Sequence, residues 1–184
     1  MLGKTEVSDK VATACTNGRD VSYGRAFVDK LTDHELRGLI LHENLHKAFQ
    51  HMTTWKHLWD ENPQLANMAC DYVINLMIHD SDPESKQVKL PEGGCFDEKY
   101  RGMDANTVYK LLKREQENGG GGNGGEPGLD EHDWQGGEAM SPNEKQTLAR
   151  EIDQALRQGT MLAGKMKGNV PRDITEADRK STRL

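Results

Sequence analysis

One short segment, residues 39–49, constrains the fold of this chain more than any other part of it. Its sequence, LILHENLHKAF, places His42 and His46 four residues apart, with Glu43 directly after the first histidine. Residues four apart lie on one face of an α-helix, so two imidazoles with this spacing can bind a single metal ion. The leucine, isoleucine and phenylalanine side chains around them predict a helix that is buried on most sides, and buried polar side chains require polar partners. The segment therefore predicts a buried helix with a metal-binding face.

The residues that precede this segment predict where its helix begins. Thr32 and Glu35 have the spacing of a capping box, and Leu31 is placed to pack against Leu36. We therefore expect a helix that runs from there to about Met52.

A turn sequence upstream of this helix predicts a short β-hairpin. The dipeptide Asn17-Gly18 suits a tight turn, and it separates two stretches of strand-like composition, residues 11–15 and 21–23. We expect the hairpin to pack against the histidine-bearing helix, with a free edge to which an extended peptide could add as a further strand. Residues 1–10 are polar and are expected to be loosely ordered.

A second helix is predicted, and its polar residues follow a regular pattern. Asn62 is a suitable N-cap and Pro63 is favoured at the first helical position, so this helix is expected to continue to His79. Most of it is apolar, yet polar residues recur at every fourth position, namely Asn67, Asp71, Asn75 and His79. A polar stripe on a buried helix needs a polar counterpart, and the histidine face of the first helix provides one.

The middle of the chain predicts the end of a core and the start of a linker. Asp104 is placed to cap a third helix from Ala105 to about Glu115. We expect residues 1–115 to form the core. Residues 116–130, which include a run of glycines, are expected to form a flexible linker.

The C-terminal part, residues 131–184, is expected to be a helical extension of the same domain. Ser141 and Glu144 have capping-box spacing and predict a helix to about Gln158 that stops at Gly159. The charged tail that follows is expected to be frayed.

The composition excludes several classes of partner. The 184 residues include 30 acidic and 24 basic side chains, a net charge of −6, which does not provide the positive surface that binds nucleic acid or an anionic membrane. No apolar run is long enough to span a membrane, and the first residues lack a signal-peptide pattern. The three cysteines, Cys15, Cys70 and Cys95, have no Cys-x-x-Cys spacing and are expected to be reduced thiols of a cytoplasmic protein.

A catalytic zinc ion usually takes three protein ligands, so a third ligand is expected beside the two histidines. The candidates are Asp71, His51, His79 and His132. Asp71 is favoured because an anionic oxygen complements two neutral imidazoles and because its helix can face the first one. The three histidines remain alternatives, although helix geometry turns His51 away from the metal face unless the helix breaks before it.

Helix geometry also suggests roles for the neighbours of the ligands. Asn44 and Lys47 are expected on the far side of the first helix, away from the metal. Asn75, one turn after Asp71, is expected to orient a liganding histidine through its second ring nitrogen. Glu43 is the expected general base, and an additional oxyanion donor is expected among Tyr23, Tyr72 and His79.

Several of these segments together resemble a known family. The segment 42–46 with His51, the segment 69–75 (ACDYVIN) and the segment 90–94 (LPEGG) are similar to the metallopeptidase domain that occurs beside von Willebrand factor A-like domains in bacteria and phages. Residues 13–19 and 104–112 are also similar to that family. The resemblance implies a zinc-dependent peptidase of the H-E-x-x-H type, with an AAA-type ATPase or a von Willebrand-like protein as an expected partner.

The sequence as a whole predicts an α+β, mostly helical fold with a zincin-like core. The leading hypothesis is a peptidase that hydrolyses peptide bonds of a protein or peptide substrate with metal-activated water and Glu43 as base. Two alternatives remain open, a metal-stabilised interaction module without turnover and a zinc hydrolase of a non-protein amide.

Overall fold

Helices make up most of the chain, and a small sheet lies against the second of them. A computed structural model describes residues 3–118, 130–132 and 140–165. The strands are β1 (Thr5–Ser8), β2 (Ala14–Thr16), β3 (Val21–Gly24) and β4 (Asp130–His132). The helices are α1 (Arg25–Val28), α2 (Asp33–Ala48), α3 (His51–Thr54), α4 (Lys56–Glu61), α5 (Pro63–Ser81), α6 (Ala105–Glu117) and α7 (Pro142–Lys165), with a 3-10 turn at Glu98–Tyr100. The predicted α+β, mostly helical class is confirmed.

The predicted hairpin forms the centre of a four-stranded sheet. β2 and β3 pair antiparallel, and the strand order is β1-β3-β2-β4. At the turn, the Asn17 side chain accepts hydrogen bonds from the backbone N–H groups of Arg19 and Asp20 at 3.0 and 2.7 Å. Gly18 has a φ of 85°, a conformation that glycine adopts without steric cost.

Two expectations about this sheet are wrong. Residues 5–8 form a strand rather than a loose terminus, because they pair in parallel with β3. Within the described residues the hairpin has no free edge, since β1 covers β3 and β4 covers β2, so an extended peptide cannot add directly to it. Short polar strands that pair with distant residues leave no periodic signal in the local sequence, which explains why both were missed.

The hairpin packs on α2 through a small apolar cluster. Ala14, Val21 and Tyr23 form this cluster with Leu39 of α2, and all four are at most 6% exposed. Leu39 lies one helical turn before His42, so the contact holds the sheet beside the histidine-bearing part of α2.

α2 begins as predicted but ends earlier. Thr32 Oγ1 accepts a hydrogen bond from the backbone N–H of Glu35, and the Glu35 carboxylate accepts one from the backbone N–H of Thr32. The helix ends at Ala48 rather than near Met52, because Gln50 adopts a left-handed conformation with φ 49° and ψ 43°. The short helix α3 then starts in a new direction.

α5 lies beside α2. It begins at the predicted cap, where Asn62 Oδ1 accepts a hydrogen bond from the backbone N–H of Leu65 at 3.1 Å. Leu45 of α2 forms an apolar cluster with Ile74 and Ile78 of α5. The opposite side of α5 packs against α4 and α6 in the largest cluster of the core.

The later helices also begin at their predicted caps. Asp104 accepts a hydrogen bond from the backbone N–H of Thr107 at the start of α6, and Ser141 and Glu144 form the reciprocal bonds of a capping box before α7. α7 does not stop at Gly159 but continues to Lys165, because an exposed glycine costs a helix only about 1 kcal/mol.

The remaining predictions for the C-terminal half concern residues that are largely outside the described part of the chain. This applies to the glycine run of the expected linker and to the charged tail after residue 165. Among the helices that the structure describes, none is both long enough and apolar enough to cross a membrane.

Candidate metal centre

Three side chains from two helices converge between α2 and α5. His42 and His46 come from α2 and Asp71 from α5, and each is at most 2% exposed. Nε2 of His42 lies 3.0 Å from Nε2 of His46. Oδ1 of Asp71 lies 3.2 Å from the His46 Nε2 atom and 3.7 Å from the His42 Nε2 atom. The structure therefore brings together the two histidines of the motif and the carboxylate that the sequence favoured.

The spacing of these three atoms suits a small divalent cation. Ligands about 2.0–2.1 Å from a tetrahedral zinc ion lie about 3.3 Å from one another. The observed separations of 3.0, 3.2 and 3.7 Å are distributed around that value. Neutral imidazole nitrogens and a carboxylate oxygen all present lone pairs, and their convergence in a buried place favours a cation between them. The residues present therefore fit a bound metal ion.

The orientation of His42 is set by Asn75. The Nδ1–H group of His42 donates to Oδ1 of Asn75 at 2.8 Å, and Nδ2 of Asn75 donates to the carbonyl oxygen of Cys95 at 2.9 Å. Because the carbonyl of Cys95 can only accept, the Asn75 amide oxygen must face His42. This arrangement places the proton of His42 on Nδ1 and leaves the lone pair of Nε2 directed at the cluster.

The orientation of Asp71 is set by a residue to which sequence reasoning gave no role. Nδ2 of Asn67 donates to Oδ2 of Asp71 at 3.2 Å, so one carboxylate oxygen is held by α5 itself while the other faces the histidines. Asn67 precedes Asp71 by four residues in the polar stripe, and that spacing was the available signal.

His51 does not point away from the metal face, contrary to the prediction for an unbroken helix. The left-handed conformation of Gln50 redirects the chain, so that His51 is 4% exposed and its Nδ1 lies 3.2 Å from Nδ1 of His46. The two rings meet edge to face, with their centroids 5.0 Å apart. His51 thus contacts the ring nitrogen of His46 that faces away from Asp71.

Glu43 lies in a fully buried environment that contains a cation. Its side chain is 0% exposed, and Lys47, one turn later on the same side of α2, is 3% exposed. The expectation of Lys47 on the far side is therefore wrong, and its i+4 spacing from Glu43 could have corrected it. Burial lowers the pKa of Lys47, whereas the negative charges of Glu43 and Asp20 favour its protonated form.

The other candidate ligands and oxyanion donors do not join the cluster, or their side chains lie outside the described part of the chain. His79 is half-buried, with its Nδ1 3.5 Å from Oδ1 of Asp80, and does not join the three donors. The backbone of His132 pairs with Thr16 in β4, but its side chain lies outside the described part of the chain, so its candidacy stays a prediction. Among the expected oxyanion donors, Tyr72 packs on the ring of Tyr100.

Tyr23, the third expected donor, is coupled electrostatically to Glu43. Its side chain projects from β3 and is 6% exposed. Burial raises the pKa of Tyr23, and the negative charge of Glu43 raises it further. The phenol is therefore a protonated hydrogen-bond donor at neutral pH.

A cavity of about 290 Å³ adjoins the cluster. Its wall includes His46 and His51, the hairpin turn at Asn17 and Gly18, and one side of α7. No local sequence pattern predicts that α7 lies here, because its position depends on a contact between distant parts of the chain.

Comparison with known proteins identifies the family. The chain has no significant match among curated proteins or among solved structures. A family model described as "Putative metallopeptidase domain" matches residues 2–181, nearly the whole sequence. The buried cluster of two histidines and an aspartate, with a glutamate beside the first histidine, agrees with that description. The chain therefore belongs to this family of metallopeptidase domains.

Proposed function

We propose that this protein is a zinc-dependent metallopeptidase in which Glu43 acts as the general base. The observation that carries the proposal is the buried convergence of His42, His46 and Asp71 in a chain of a metallopeptidase family. We propose these three side chains as the metal ligands. Two imidazoles and one carboxylate at these separations suit zinc, and three protein ligands leave a position for water, as catalytic zinc sites require.

The role of Glu43 follows from its place on α2. It follows His42 directly, and its carboxylate is enclosed with the Lys47 ammonium on the same side of the helix. A bound zinc ion would supply an acidified water and polarise the scissile carbonyl. Glu43 takes the proton from the attacking water and later passes it to the leaving amine. The positive charge of Lys47 favours the ionised carboxylate that the first of these steps needs.

The surrounding hydrogen bonds hold the proposed ligands in place. Asn75 keeps the proton of His42 on Nδ1, and Asn67 holds the second oxygen of Asp71. Such contacts fix the tautomer and the direction of a ligand before the ion arrives. Tyr23, buried and protonated near Glu43, is the proposed additional donor to the developing oxyanion.

The proposal is tested with purified protein loaded with zinc and a mixed peptide library, assayed with and without a chelator. Glu43→Gln should retain zinc but lower the cleavage rate by about 10²- to 10⁴-fold, the usual contribution of a general base. Asp33→Asn, a matched change of an exposed carboxylate in the first turn of α2, should leave the rate unchanged. Comparable turnover by Glu43→Gln would refute the proposed role.

The metal ligands are tested separately by elemental analysis. His42→Ala and Asp71→Ala should both lose bound zinc, whereas alanine at exposed His57 should retain it. A wild-type protein that binds zinc but cleaves no peptide would instead support the interaction module without turnover.

Further parts of the proposal rest on the sequence. We propose a zincin-like arrangement of the core and a protein or peptide as substrate. From the cysteine pattern we also propose a cytoplasmic location of the protein itself. An AAA-type ATPase or von Willebrand-like partner stays a prediction from the family resemblance.

A further inference from the structure

The cavity beside the proposed metal centre has a distinctive lining. Its apolar wall is formed by Met52 of α3, by Met140 before α7, and by Leu148, Ala149 and Ile152 of α7. Its volume of about 290 Å³ is near the lower end for small-ligand sites, which is room for one large side chain and its peptide unit. An apolar cavity of this size is therefore suited to a single apolar side chain.

The charged side chains in the wall of this cavity are both lysines. Lys56 and Lys145 belong to its wall, and no acidic residue of the described chain does. Lys56 is paired with Asp60 at 2.6 Å, whereas Lys145 is half-buried and has no ion pair among the described residues. In a protein with a net charge of −6, this local excess of positive charge favours a ligand that carries a carboxylate.

The position of the cavity connects it to the proposed reaction. His46 and His51 form part of its wall, and both are at most 4% exposed, so a substrate group in the cavity would lie directly beside the proposed ligand cluster. Resting on the proposed function, we propose that the cavity is a specificity pocket that receives an apolar side chain of the peptide substrate, with a neighbouring carboxylate bound to Lys145. The carboxylate belongs either to an acidic side chain or to the C-terminus of the peptide.

The test measures peptide binding to the zinc-loaded Glu43→Gln variant, in which turnover is suppressed. The probes are acetyl-Gly-Gly-Leu-Glu-amide, the same peptide with Lys in place of Glu, acetyl-Gly-Gly-Leu with a free C-terminus, and the amide of that last peptide. Peptides with a carboxylate should bind about two- to fivefold more tightly than their Lys or amide counterparts. The probe pair with the larger ratio of affinities shows whether the carboxylate is that of an acidic side chain or that of the C-terminus. Replacing Leu by Gly in the probe should weaken binding about tenfold or more.

Variants of α7 separate charge from shape. Lys145→Glu should abolish or reverse the preference for a carboxylate in whichever probe pair shows it, whereas Arg150→Glu, the same charge change on an exposed residue outside the wall, should not. Ala149→Phe should fill the cavity and weaken binding of every Leu probe, and Ala149→Leu provides the same test if the larger variant does not fold. Equal binding within both probe pairs, no effect of filling the cavity, or no binding of any probe would overturn the proposal. These binding assays do not need turnover. A wild-type protein that cleaves no peptide would therefore refute the proposed function, but the peptide-binding result would still test the specificity pocket.

A second inference comes from the helix break at Gln50 and concerns His51. A non-glycine residue in the left-handed region costs about 1 kcal/mol or more, and such strain persists where the surrounding structure requires it. Here the break brings Nδ1 of His51 to 3.2 Å from Nδ1 of His46. Asn75 makes the corresponding contact with Nδ1 of His42. Each of the two proposed histidine ligands therefore has a partner at the ring nitrogen that faces away from Asp71.

We infer that His51 is a positioning residue for His46 rather than a metal ligand. Because Nε2 of His46 is directed at Asp71, the ring carries its proton on Nδ1. This N–H group donates a hydrogen bond to the Nδ1 lone pair of His51. Removal of this acceptor should loosen the His46 ring and weaken zinc binding about 10- to 100-fold, without abolishing it.

The experiment compares zinc affinity, measured by competition with a chromophoric chelator, in His51→Phe, His51→Asn and the control His57→Phe. The phenylalanine variant at position 51 should bind zinc 10- to 100-fold more weakly. Asparagine, which restores an acceptor, should recover part of the loss, and the change at exposed His57 should have no effect. The absorption spectrum of the cobalt-substituted protein should keep its tetrahedral intensity in His51→Phe. Unchanged affinity would overturn the inference, and complete loss of metal together with the cobalt spectrum would make His51 a ligand instead.

Discussion

Asn75 offers the sharpest test of how the fold holds the proposed metal centre. Its side chain is 2% exposed and makes two buried hydrogen bonds, accepting from His42 Nδ1 at 2.8 Å and donating to the Cys95 carbonyl at 2.9 Å. Asn75→Leu replaces the amide by an apolar group of similar size and removes both bonds. Asn75→Asp keeps the acceptor for His42 and removes only the donor to Cys95.

The expected magnitudes follow from these contacts. In Asn75→Leu the His42 N–H and the Cys95 carbonyl are left buried without this partner, at about 1–3 kcal/mol each, so the free energy of unfolding of the metal-free protein should fall by about 2–6 kcal/mol. Zinc affinity should fall about 10- to 100-fold because the His42 ring loses its orientation. Asn75→Asp should also be less stable, because it buries a carboxylate near a carbonyl oxygen, but its zinc affinity should stay close to that of the wild type.

Two measurements check this prediction, urea unfolding of the metal-free protein and zinc competition with a chromophoric chelator. Asn44→Ala is the control, since Asn44 is an exposed asparagine of α2 whose amide, among the described residues, bonds only to the Ile40 carbonyl. Its zinc affinity should be unchanged. An Asn75→Leu protein with wild-type affinity, or equal losses in the Leu and Asp variants, would refute the reasoning that Asn75 acts through His42.

Two further predictions concern the packing and the N-terminal cap of α2. Gly38→Ala should lower the free energy of unfolding by about 1–3 kcal/mol, because a Cβ there would lie 2.0 Å from the carbonyl oxygen of Lys89. In the same urea titration Gly159→Ala should raise it by about 0.5–1 kcal/mol, since a Cβ there meets no described atom within 4 Å. Equal changes in the two variants would contradict this. Hydrogen bonds from Lys89 and Thr32 lower the pKa of Glu35 from 4.5 to about 2. The stability that Glu35 contributes is therefore complete above pH 4.5 and is lost as the pH falls toward 2. Glu35→Gln should flatten the acid limb of the stability profile in that range, and an unchanged slope would argue against the assignment.

Local chemistry made much of this structure predictable. The caps at Thr32, Asn62, Asp104 and Ser141 all lie where the sequence placed them, because each cap is a contact between residues three apart. The convergence of the histidine face of α2 with the aspartate of α5 also followed, since two buried polar stripes have few other partners.

The parts that could not be predicted depend on distant contacts or on one unusual residue. Nothing in Gln50 indicates a left-handed conformation, which glutamine rarely adopts, so the end of α2 and the placement of His51 were missed together. The pairing of β1 and β4 with the hairpin, and the position of α7 beside the cavity, arise from segments far apart in the chain. Patterns within a short window do not contain that information.

The enclosure of the donor atoms has a consequence for how an ion would arrive and leave. His42, His46 and Asp71 each expose at most 2% of their surface, so an ion between them would reach solvent through the cavity beside His46 rather than across the two helices. A peptide bound in that cavity would therefore slow the exchange of the ion, whereas the empty cavity would leave exchange open. Stripping by a chelator should accordingly be slower when peptide is bound, and a chain that folded without its ion would still take it up through the same opening.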